Sequence, residues 1–244
     1  MSRSTTSPAF GCSGIHLTLG GREILSDISL DAQAGRVLGI VGPNGAGKTS
    51  LFEVLSGRIR PSHGRVHFEG SDISRLSIQR RARLGIGRTF QSPVVPNALS
   101  VAQVLEAARK AFRPKLSTHQ AEWACELVNL SVPGSARAGA LDTLHRRKLL
   151  LACLMMRRPR VLLLDEPASG MIHAEVEELD QIIRVLAQEM QIALLVVEHR
   201  LELLHAIADT IMALDVGRCI ATGTPDAVFN HPDVRAAYFE GAAA

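Results

Sequence analysis

The stretch VLGIVGPNGAGKTSLFEVLSG, residues 37–57, decides the fold. A short apolar run of strand length leads into the pattern G-x-x-x-x-G-K-T, and a helix-like run follows it. Glycines at 42, 45 and 47 let the backbone curl so that consecutive N–H groups point to one place, and the amino end of the following helix adds its positive dipole. The stretch therefore predicts a strand, a phosphate-binding loop and a helix.

The predicted loop indicates a nucleoside triphosphate site. Lys48 is expected to bridge the β- and γ-phosphates, and the Thr49 hydroxyl is expected to ligate Mg²⁺. Kinases, GTPases and motor ATPases share this loop, but the chain has no N-K-x-D stretch to read guanine, which favours ATP. The predicted nucleotide-binding residues are Gly42, Pro43, Asn44, Gly45, Ala46, Gly47, Lys48, Thr49 and Ser50.

Two further apolar runs end in residues suited to phosphate chemistry. In VLLLDEP, residues 161–167, Asp165 can hold Mg²⁺ through water, and Glu166 can orient and deprotonate the attacking water. In IALLVVEHR, residues 192–200, His199 follows another strand-like run. Because ligands of an open α/β sheet bind at the carboxyl ends of its strands, these side chains are expected near the γ-phosphate. Taken singly, a strand-end carboxylate or histidine is often only structural.

Short apolar runs alternate with helical patterns along most of the chain, which indicates a parallel sheet covered on both faces. Residues 14–35 instead show short alternating runs separated by turn residues, which is typical of an antiparallel hairpin. In the middle of the chain, Ser100 is a candidate N-cap for a helix whose apolar stripe runs from Val101 to Phe112. A second helical pattern follows Pro114.

These elements predict an α/β fold with a P-loop NTPase core, an N-terminal antiparallel β subdomain and an inserted α-helical subdomain at about residues 92–156. Residues 1–12 are expected to be a disordered lead-in, and residues 13–244 a single domain. The amino terminus lacks the apolar segment of a signal peptide, so export by that route is not expected.

Composition limits the classes of function. The net charge is +3, and the chain has one Trp and one Tyr. The basic clusters at 75–88 and 146–160 are therefore not interleaved with aromatic residues, which argues against binding of nucleic acid. These clusters fit solvated helix faces or a surface for a partner. The four cysteines lack metal-ligand spacing, which fits a reducing cytoplasm without zinc or disulfides. Apolar runs fall far short of the ~20 residues that cross a bilayer, so a membrane role would come through a partner.

Taken in order, GPNGAGKTS, RTFQ, VLLLDEP and VVEH resemble the ATP-binding subunit of an ABC transporter over essentially the whole chain. The resemblance implies ATP hydrolysis coupled to transport, with ATP and Mg²⁺ bound. It implies that Gln91 contacts Mg²⁺ and the membrane subunit, and that His199 contacts the γ-phosphate. The implied partners are transmembrane permease subunits, a second ATPase subunit and, indirectly, a solute-binding protein, with the chain on the cytoplasmic face of the inner membrane.

The tail GTPDAVFNHPDVRAAYFEG, residues 223–241, and RLSIQRRARLGIGRTFQSP, residues 75–93, resemble one branch of that family. This branch serves uptake of branched-chain amino acids, urea and amides. The resemblance leaves the solute open, because such subunits touch ATP and the permease rather than the cargo.

The chain departs from the family where two subunits sandwich ATP. The signature segment, commonly L-S-G-G-Q, aligns with Leu141, Asp142, Thr143, Leu144 and His145. Leu144 is expected to place a side chain where the nucleotide should sit. The Asp142 carboxylate is expected to repel the nucleotide, because two like unit charges ~4 Å apart have a repulsion energy of about 4 kcal/mol at an effective dielectric of 20. Alternatively, Asp142 is simply the N-cap of an amphipathic helix.

Two lesser departures from the family pattern affect the adenine contact and the dimer contact. Leu19 replaces the aromatic residue expected to stack on adenine, and Met171, Ile172 and His173 replace the residues of the loop that crosses the dimer.

Three hypotheses follow from these features. In the first, the chain powers an importer of amino acids, urea or related small polar solutes as a heterodimer with a subunit that has an intact signature, although a homodimer is possible. In the second, it is a catalytically weak regulatory protein that binds ATP with little turnover. The third, a soluble ATPase of DNA repair or translation, is disfavoured because neither a second cassette nor a long coiled-coil insertion is present.

Overall fold

The computed structural model describes residues 9–90 and 94–239. Its strands, numbered along the chain, are β1 (Phe10–Leu19), β2 (Arg22–Ala32), β3 (Val37–Val41), β4 (His63–Phe68), β5 (Ser71–Asp72), β6 (Ile86–Arg88), β7 (Val161–Asp165), β8 (Ala193–Val197), β9 (Thr210–Asp215) and β10 (Arg218–Gly223). Its helices are α1 (Lys48–Ser56), α2 (Ile78–Leu84), α3 (Val101–Lys110), α4 (Thr118–Leu127), α5 (Thr143–Met155), α6 (His173–Arg184), α7 (Leu201–Ile207), α8 (Pro225–Phe229) and α9 (Pro232–Phe239).

A six-stranded sheet with the order β10-β9-β3-β8-β7-β6 forms the centre of the molecule. Its strands from β9 to β6 are parallel, and β10 adds to the edge in an antiparallel direction. Every residue of β3, β7 and β8 is buried, as expected for strands covered on both faces. Their side chains alternate between two hydrophobic clusters, so that Leu162 and Leu164 lie in one cluster and Val161 and Leu163 in the other.

The second sheet has the order β2-β1-β4-β5 and is antiparallel. It begins with the hairpin expected from the sequence, in which Leu19 pairs with Arg22 across the two-residue turn Gly20-Gly21. Both glycines have positive φ, 57° and 80°, as the tight hairpin turn requires. This sheet packs with α1 against one face of the central sheet.

The prediction that residues 1–12 form a disordered lead-in is wrong for residues 10–12, which belong to β1. Strand β1 begins at Phe10, which pairs with Ala32 on one side and Phe68 on the other and is fully buried. Cys12 is also buried, so an apolar residue at every second position draws this part of the chain into the sheet. Residues 1–8 lie outside the described part of the chain.

Helices α3, α4 and α5 lie between β6 and β7, where the sequence predicts the helical insertion. Ser100 caps α3, as expected, and Ser117 caps α4, each in a reciprocal capping box. Helix α3 ends at Lys110, so Phe112 lies beyond the helix on which the apolar pattern placed it. Within residues 9–90 and 94–239, no helix has the length and apolarity needed to cross a bilayer.

Arg81 in the first basic cluster is buried, with 1% of its surface exposed, so the interpretation of that cluster as a solvated face is wrong at this residue. Its Nη1 atom donates to the carbonyl oxygens of Val54 and Leu55 at 2.8 and 2.7 Å, and Nη2 and Nε donate to Ser74 and Leu76. The guanidinium thereby caps the carboxyl end of α1, where carbonyl groups lack helical partners. Burial lowers the pKa of Arg81 to about 10, which leaves it charged at neutral pH.

We predict that Arg81→Met lowers the free energy of unfolding by about 3 kcal/mol, because it leaves several buried carbonyl groups without donors. Urea denaturation of the purified variant measures the loss. The matched control is Arg80→Met at the exposed neighbouring position, which should change stability by less than about 0.5 kcal/mol. Equal effects of the two substitutions would contradict the capping role.

Candidate active site

The phosphate loop connects β3 to α1, as the motif predicts. Its glycines at 42, 45 and 47 have φ values of 152°, 84° and 102°. A Cβ atom on Gly42 would lie 2.3 Å from the carbonyl oxygen of Leu214, and one on Gly47 would lie 2.8 Å from Leu25. The turn therefore requires glycine at both positions.

Helix α1 begins at Lys48 with Gly47 as its N-cap, and glycine has no side chain that could accept from the first turn. The open N–H groups of this turn border a cleft, together with the side chains of Asn44, Thr49 and Ser50. An anion at this position would satisfy those groups and interact favourably with the helix dipole.

Ala46 and Pro43 shape the loop through their backbone atoms. Ala46 is buried, its N–H donates to the Pro43 carbonyl at 3.2 Å, and its own carbonyl accepts from Gly217 at 3.0 Å. Both residues thus hold the shape of the loop through their backbone atoms. Their contribution to a nucleotide site is the curvature of the loop.

Lys48 is folded over the loop. Its Nζ atom donates to the carbonyl oxygens of Gly42 at 2.6 Å and Pro43 at 2.9 Å, and its side chain is buried. Burial lowers the pKa of Lys48, and the nearby Glu166 and Asp165 partly oppose this shift. A phosphate group in the cleft would give this buried cation a charged partner in place of two carbonyl groups.

The cleft has a volume of about 440 Å³, within the range of sites for small molecules. It is bordered by the phosphate loop, the start of α1, Glu166 and His199. Further residues that border it are Arg22, Glu23, Ile24, Val216 and Gly217.

Glu166 and His199 meet because β7 and β8 are parallel neighbours. Asp165, the last residue of β7, pairs with Val197, the last residue of β8, so the residues that follow emerge at the same edge of the sheet. The Glu166 N–H donates to the Val197 carbonyl at 2.9 Å, and Glu166 Oε1 lies 2.8 Å from His199 Nε2. The pair faces the phosphate loop, as both strand-end motifs predict.

Glu198, which the sequence analysis passed over, holds this edge together. It is buried, and its carboxylate accepts from the N–H groups of Ala168 at 2.7 Å and His199 at 3.2 Å. Burial raises the pKa of Glu198, and these hydrogen bonds oppose the shift. A carboxylate at the end of an apolar strand was the signal that could have revealed it.

Asp165 is buried beside Arg88, the last residue of β6. Arg88 Nη2 lies 3.3 Å from Asp165 Oδ2 and 2.9 Å from Glu53 Oε1, and Nη1 donates to Ser56 Oγ. Burial raises the pKa of Asp165, and the Arg88 guanidinium opposes that shift. The guanidinium carbon also lies 4.9 Å from the centre of the Phe90 ring. In the sequence, Arg88 belongs to a basic cluster and begins RTFQ, and neither pattern indicates this contact with Asp165.

The magnesium ligands expected from the sequence are Thr49, Asp165 and Gln91. Thr49 lies in the cleft and Asp165 ends the adjacent strand, whereas Gln91 lies outside the described residues. Among the residues that the structure describes, no group of three His, Cys, Asp or Glu side chains is arranged to hold a metal. One hydroxyl and one carboxylate fit Mg²⁺ held mainly by phosphate and water oxygens.

Arg147 connects α5 to the site. It is 4% exposed, and its Nη2 atom donates to the Glu166 carbonyl at 3.1 Å while Nη1 donates to the Phe90 carbonyl at 3.2 Å. Burial lowers the pKa of Arg147, and Glu198 is the strongest of the carboxylates that oppose the shift. A second cation of this cluster, Lys148, is also buried and bonds to the Asn129 carbonyl and Glu178. Neither residue lies on a solvated face.

At the start of α5, Asp142 is the N-cap and accepts from the His145 N–H at 2.8 Å. The same carboxylate bonds to the His145 ring. The expectation that Leu144 fills nucleotide space is wrong, because its side chain is buried in the hydrophobic cluster that also contains Leu162 and Leu164. The first turn of α5 directs Leu144 inward, so Asp142 is the exposed departure from the signature.

The other departures are also placed by the structure. Leu19 ends β1 and is 43% exposed. Met171 is buried and its carbonyl accepts from Arg200, whereas Ile172 is 68% exposed as the N-cap of α6 and His173 begins that helix. An exposed apolar side chain therefore lies at the beginning of the loop that is expected to cross the dimer.

Comparison with known proteins defines the family. A family model described as "ABC transporter" matches residues 25–169, which contain the phosphate loop, Arg88, Asp165 and Glu166. The chain belongs to the ABC transporter family. A second model, "Branched-chain amino acid ATP-binding cassette transporter", matches residues 218–239, the part of the tail that includes α8 and α9. The family and the branch expected from the sequence are confirmed.

Curated relatives agree over nearly the full length. The chain is 32% identical to the high-affinity branched-chain amino acid transport ATP-binding protein BraF of Pseudomonas aeruginosa, covering 95% of this chain and 97% of BraF. It is 32% identical to LivG of Salmonella typhimurium, described by the same function, with the same two coverages. It is 31% identical to LptB of Haemophilus influenzae, a lipopolysaccharide export system ATP-binding protein, covering 89% of this chain and 91% of LptB.

Solved structures confirm the fold class. The ADP conformation of MJ1267, an ATP-binding cassette of an ABC transporter, superposes with a TM-score of 0.87 at 25% identity, covering 96% of this chain and 99% of that one. The chain is therefore an ATP-binding and ATP-hydrolysing subunit of an ABC transporter.

We predict that Arg88→Met shifts the acidic limb of the pH profile of kcat/KM to higher pH. Removing the cation favours the protonated form of Asp165, so the pKa of Asp165 rises further. As the pH falls, the carboxylate is then protonated at a higher pH than in the native chain. Steady-state ATPase assays at several pH values and Mg²⁺ concentrations measure the shift. Arg88→Lys retains the charge and should shift the limb less, and superimposable profiles for all three proteins would refute the role of Arg88.

Proposed function

We propose that the chain powers an importer for branched-chain amino acids or related small polar solutes such as urea and amides, from the cytoplasmic face of the inner membrane. The observation that carries the proposal is the Glu166–His199 pair, which faces the phosphate loop across one cleft. The solute class is supported by the tail match at residues 218–239 and by the names of BraF and LivG. The comparisons offer nothing that favours the weak regulatory alternative.

The residues of the cleft divide the work of hydrolysis between them. The N–H groups of the loop and the Lys48 ammonium would hold the phosphates and balance their charge. The Glu166 carboxylate would orient a water molecule for attack and accept its proton. His199, 2.8 Å from Glu166, would fix the position of that carboxylate and lie next to the phosphate being transferred. Mg²⁺ bound by Thr49 and Asp165 would neutralise charge on the phosphate oxygens.

A permease segment is proposed to dock in an apolar groove next to the site. The groove has a volume of about 180 Å³ and is bordered by α2, β6 and α5, with Phe90 on one side and Phe112 and Leu154 on another. Phe90 is 45% exposed, and its carbonyl is held by Arg147, which also holds Glu166. A partner that displaces Phe90 would therefore act on a residue connected through Arg147 to the main-chain carbonyl of Glu166.

The partner ATPase is proposed to be a different chain with an intact signature. The phosphate side of this chain carries the phosphate loop, Asp165, Glu166 and His199. Asp142, however, presents an exposed carboxylate at the start of α5, where a partner's phosphates would lie. A heterodimer in which this chain supplies the phosphate loop and the partner supplies the signature would avoid that repulsion.

Glu166→Gln is expected to retain ATP binding and to lower hydrolysis at least ~100-fold, because the amide keeps the shape of the side chain but accepts no proton at neutral pH. Binding of a fluorescent ATP analogue and phosphate release, each measured with the cognate partner subunits, provide the two readouts. Glu177→Gln, at an exposed position of α6, is the matched control and should retain turnover. Unchanged hydrolysis by Glu166→Gln would reject the assigned base, and failure of the native chain to bind ATP would reject the proposed function.

Asp142→Asn is expected to raise ATP turnover of the chain on its own about tenfold, since it removes the carboxylate while keeping a good N-cap. Tenfold corresponds to about 1.4 kcal/mol, less than the ~4 kcal/mol of an unscreened pair at ~4 Å. Asp27→Asn, at an exposed position with φ 55° that asparagine tolerates, is the control. Full-rate turnover by the unsubstituted homodimer would overturn the heterodimer.

A further inference from the structure

The last helix of the described chain reaches the phosphate loop. The N–H of Gly42, the first glycine of the loop, donates to the hydroxyl oxygen of Tyr238 in α9 at 2.6 Å. The two residues are 196 positions apart in the sequence. The tail that distinguishes this branch of the family therefore contacts the ATP site directly.

Helix α9 is held against the core by the same face that makes this contact. Val234 and Tyr238 are four residues apart and so lie on one side of the helix. Val234 is 3% exposed, and Tyr238 packs partly buried against the same hydrophobic cluster as Ile220 and Phe229. Burial raises the pKa of Tyr238, so its hydroxyl stays neutral at physiological pH. The position of the hydroxyl depends on how α9 docks.

Gly42 links this contact to the catalytic lysine. Its N–H bonds to Tyr238, and its carbonyl oxygen accepts from Lys48 Nζ at 2.6 Å. The Leu214 carbonyl on β9 approaches Gly42 so closely that a Cβ atom there would lie 2.3 Å from it. A shift of Gly42 that followed loss of the tyrosine contact would thus also move the group to which Lys48 bonds.

We propose that Tyr238 is a positioning residue of the ATP site, which fixes the first residue of the phosphate loop and couples docking of α9 to nucleotide binding. The inference rests on the proposed function only in requiring that the chain binds nucleotide. Coupling between two binding equilibria is reciprocal. If docking of α9 raises the affinity for nucleotide by some factor, bound nucleotide therefore raises the docking equilibrium constant of α9 by the same factor. The tail then reports the state of the ATP site to whatever contacts it.

The test compares Tyr238→Phe, which removes only the hydroxyl, with Arg235→Ala on the exposed side of the same helix. ADP affinity is measured by calorimetry, KM and kcat by steady-state hydrolysis, and amide hydrogen exchange of α9 with and without ADP. We expect Tyr238→Phe to weaken ADP binding about two- to tenfold, the range for loss of one hydrogen bond. We expect its KM to rise by a similar factor, and the slowing of exchange in α9 on ADP binding to disappear. Arg235→Ala should leave all three as in the native chain.

The possible outcomes separate this inference from the proposed function. If the native chain binds ADP and Tyr238→Phe binds it equally well with the same protection of α9, the inference is overturned and the proposed function stands. If Tyr238→Phe lowers only the melting temperature, with ADP affinity and KM unchanged, Tyr238 is a structural anchor and the inference is again overturned. If the native chain binds no ADP, both fail.

Discussion

The parallel register of β3, β8 and β7 is the constraint on which the site depends. Because Asp165 pairs with Val197, and β3 runs beside β8, the segments after all three strands leave the sheet at the same edge. The phosphate loop, Glu166 and His199 come from parts of the chain up to about 150 residues apart in sequence, yet they border a single cleft. A slip of one residue in this pairing would turn the buried faces of the strands outward, so the core that stabilises the sheet also fixes the geometry of the site.

Buried cations then connect the elements around this edge. Arg88 lies between Asp165 and Glu53, and Arg147 bonds to the carbonyls of Glu166 and Phe90. A buried charge is costly unless it is paired or hydrogen-bonded, so each of these side chains has a narrowly defined position, and the groups it contacts share that restraint. Two guanidinium groups in this way join the segment that ends at Phe90, helix α5 and the end of β7.

The signature segment shows which features a local sequence pattern predicts and which it does not. The sequence indicated that Asp142 is an N-cap, and the structure confirms it, because a cap depends only on the chain within three residues. The sequence also suggested that Leu144 would obstruct nucleotide, which is wrong, because the side on which a residue of the first helical turn lies depends on how α5 packs against α3 and α4. The departure from the family pattern is thereby reduced to one exposed carboxylate and its histidine partner.

By itself the sequence determined the α/β class, the family, the phosphate loop and the strand-end residues Asp165, Glu166 and His199. These follow from glycine at positive φ, from apolar runs and from polar residues directly after them, all of which act over short stretches of chain. Only the tertiary structure decided which groups Arg88, Arg147 and Tyr238 contact. Whether a cation is solvated or buried, and whether a tail tyrosine meets a glycine 196 residues away, depends on contacts between distant segments, and no local pattern of residues encodes those contacts.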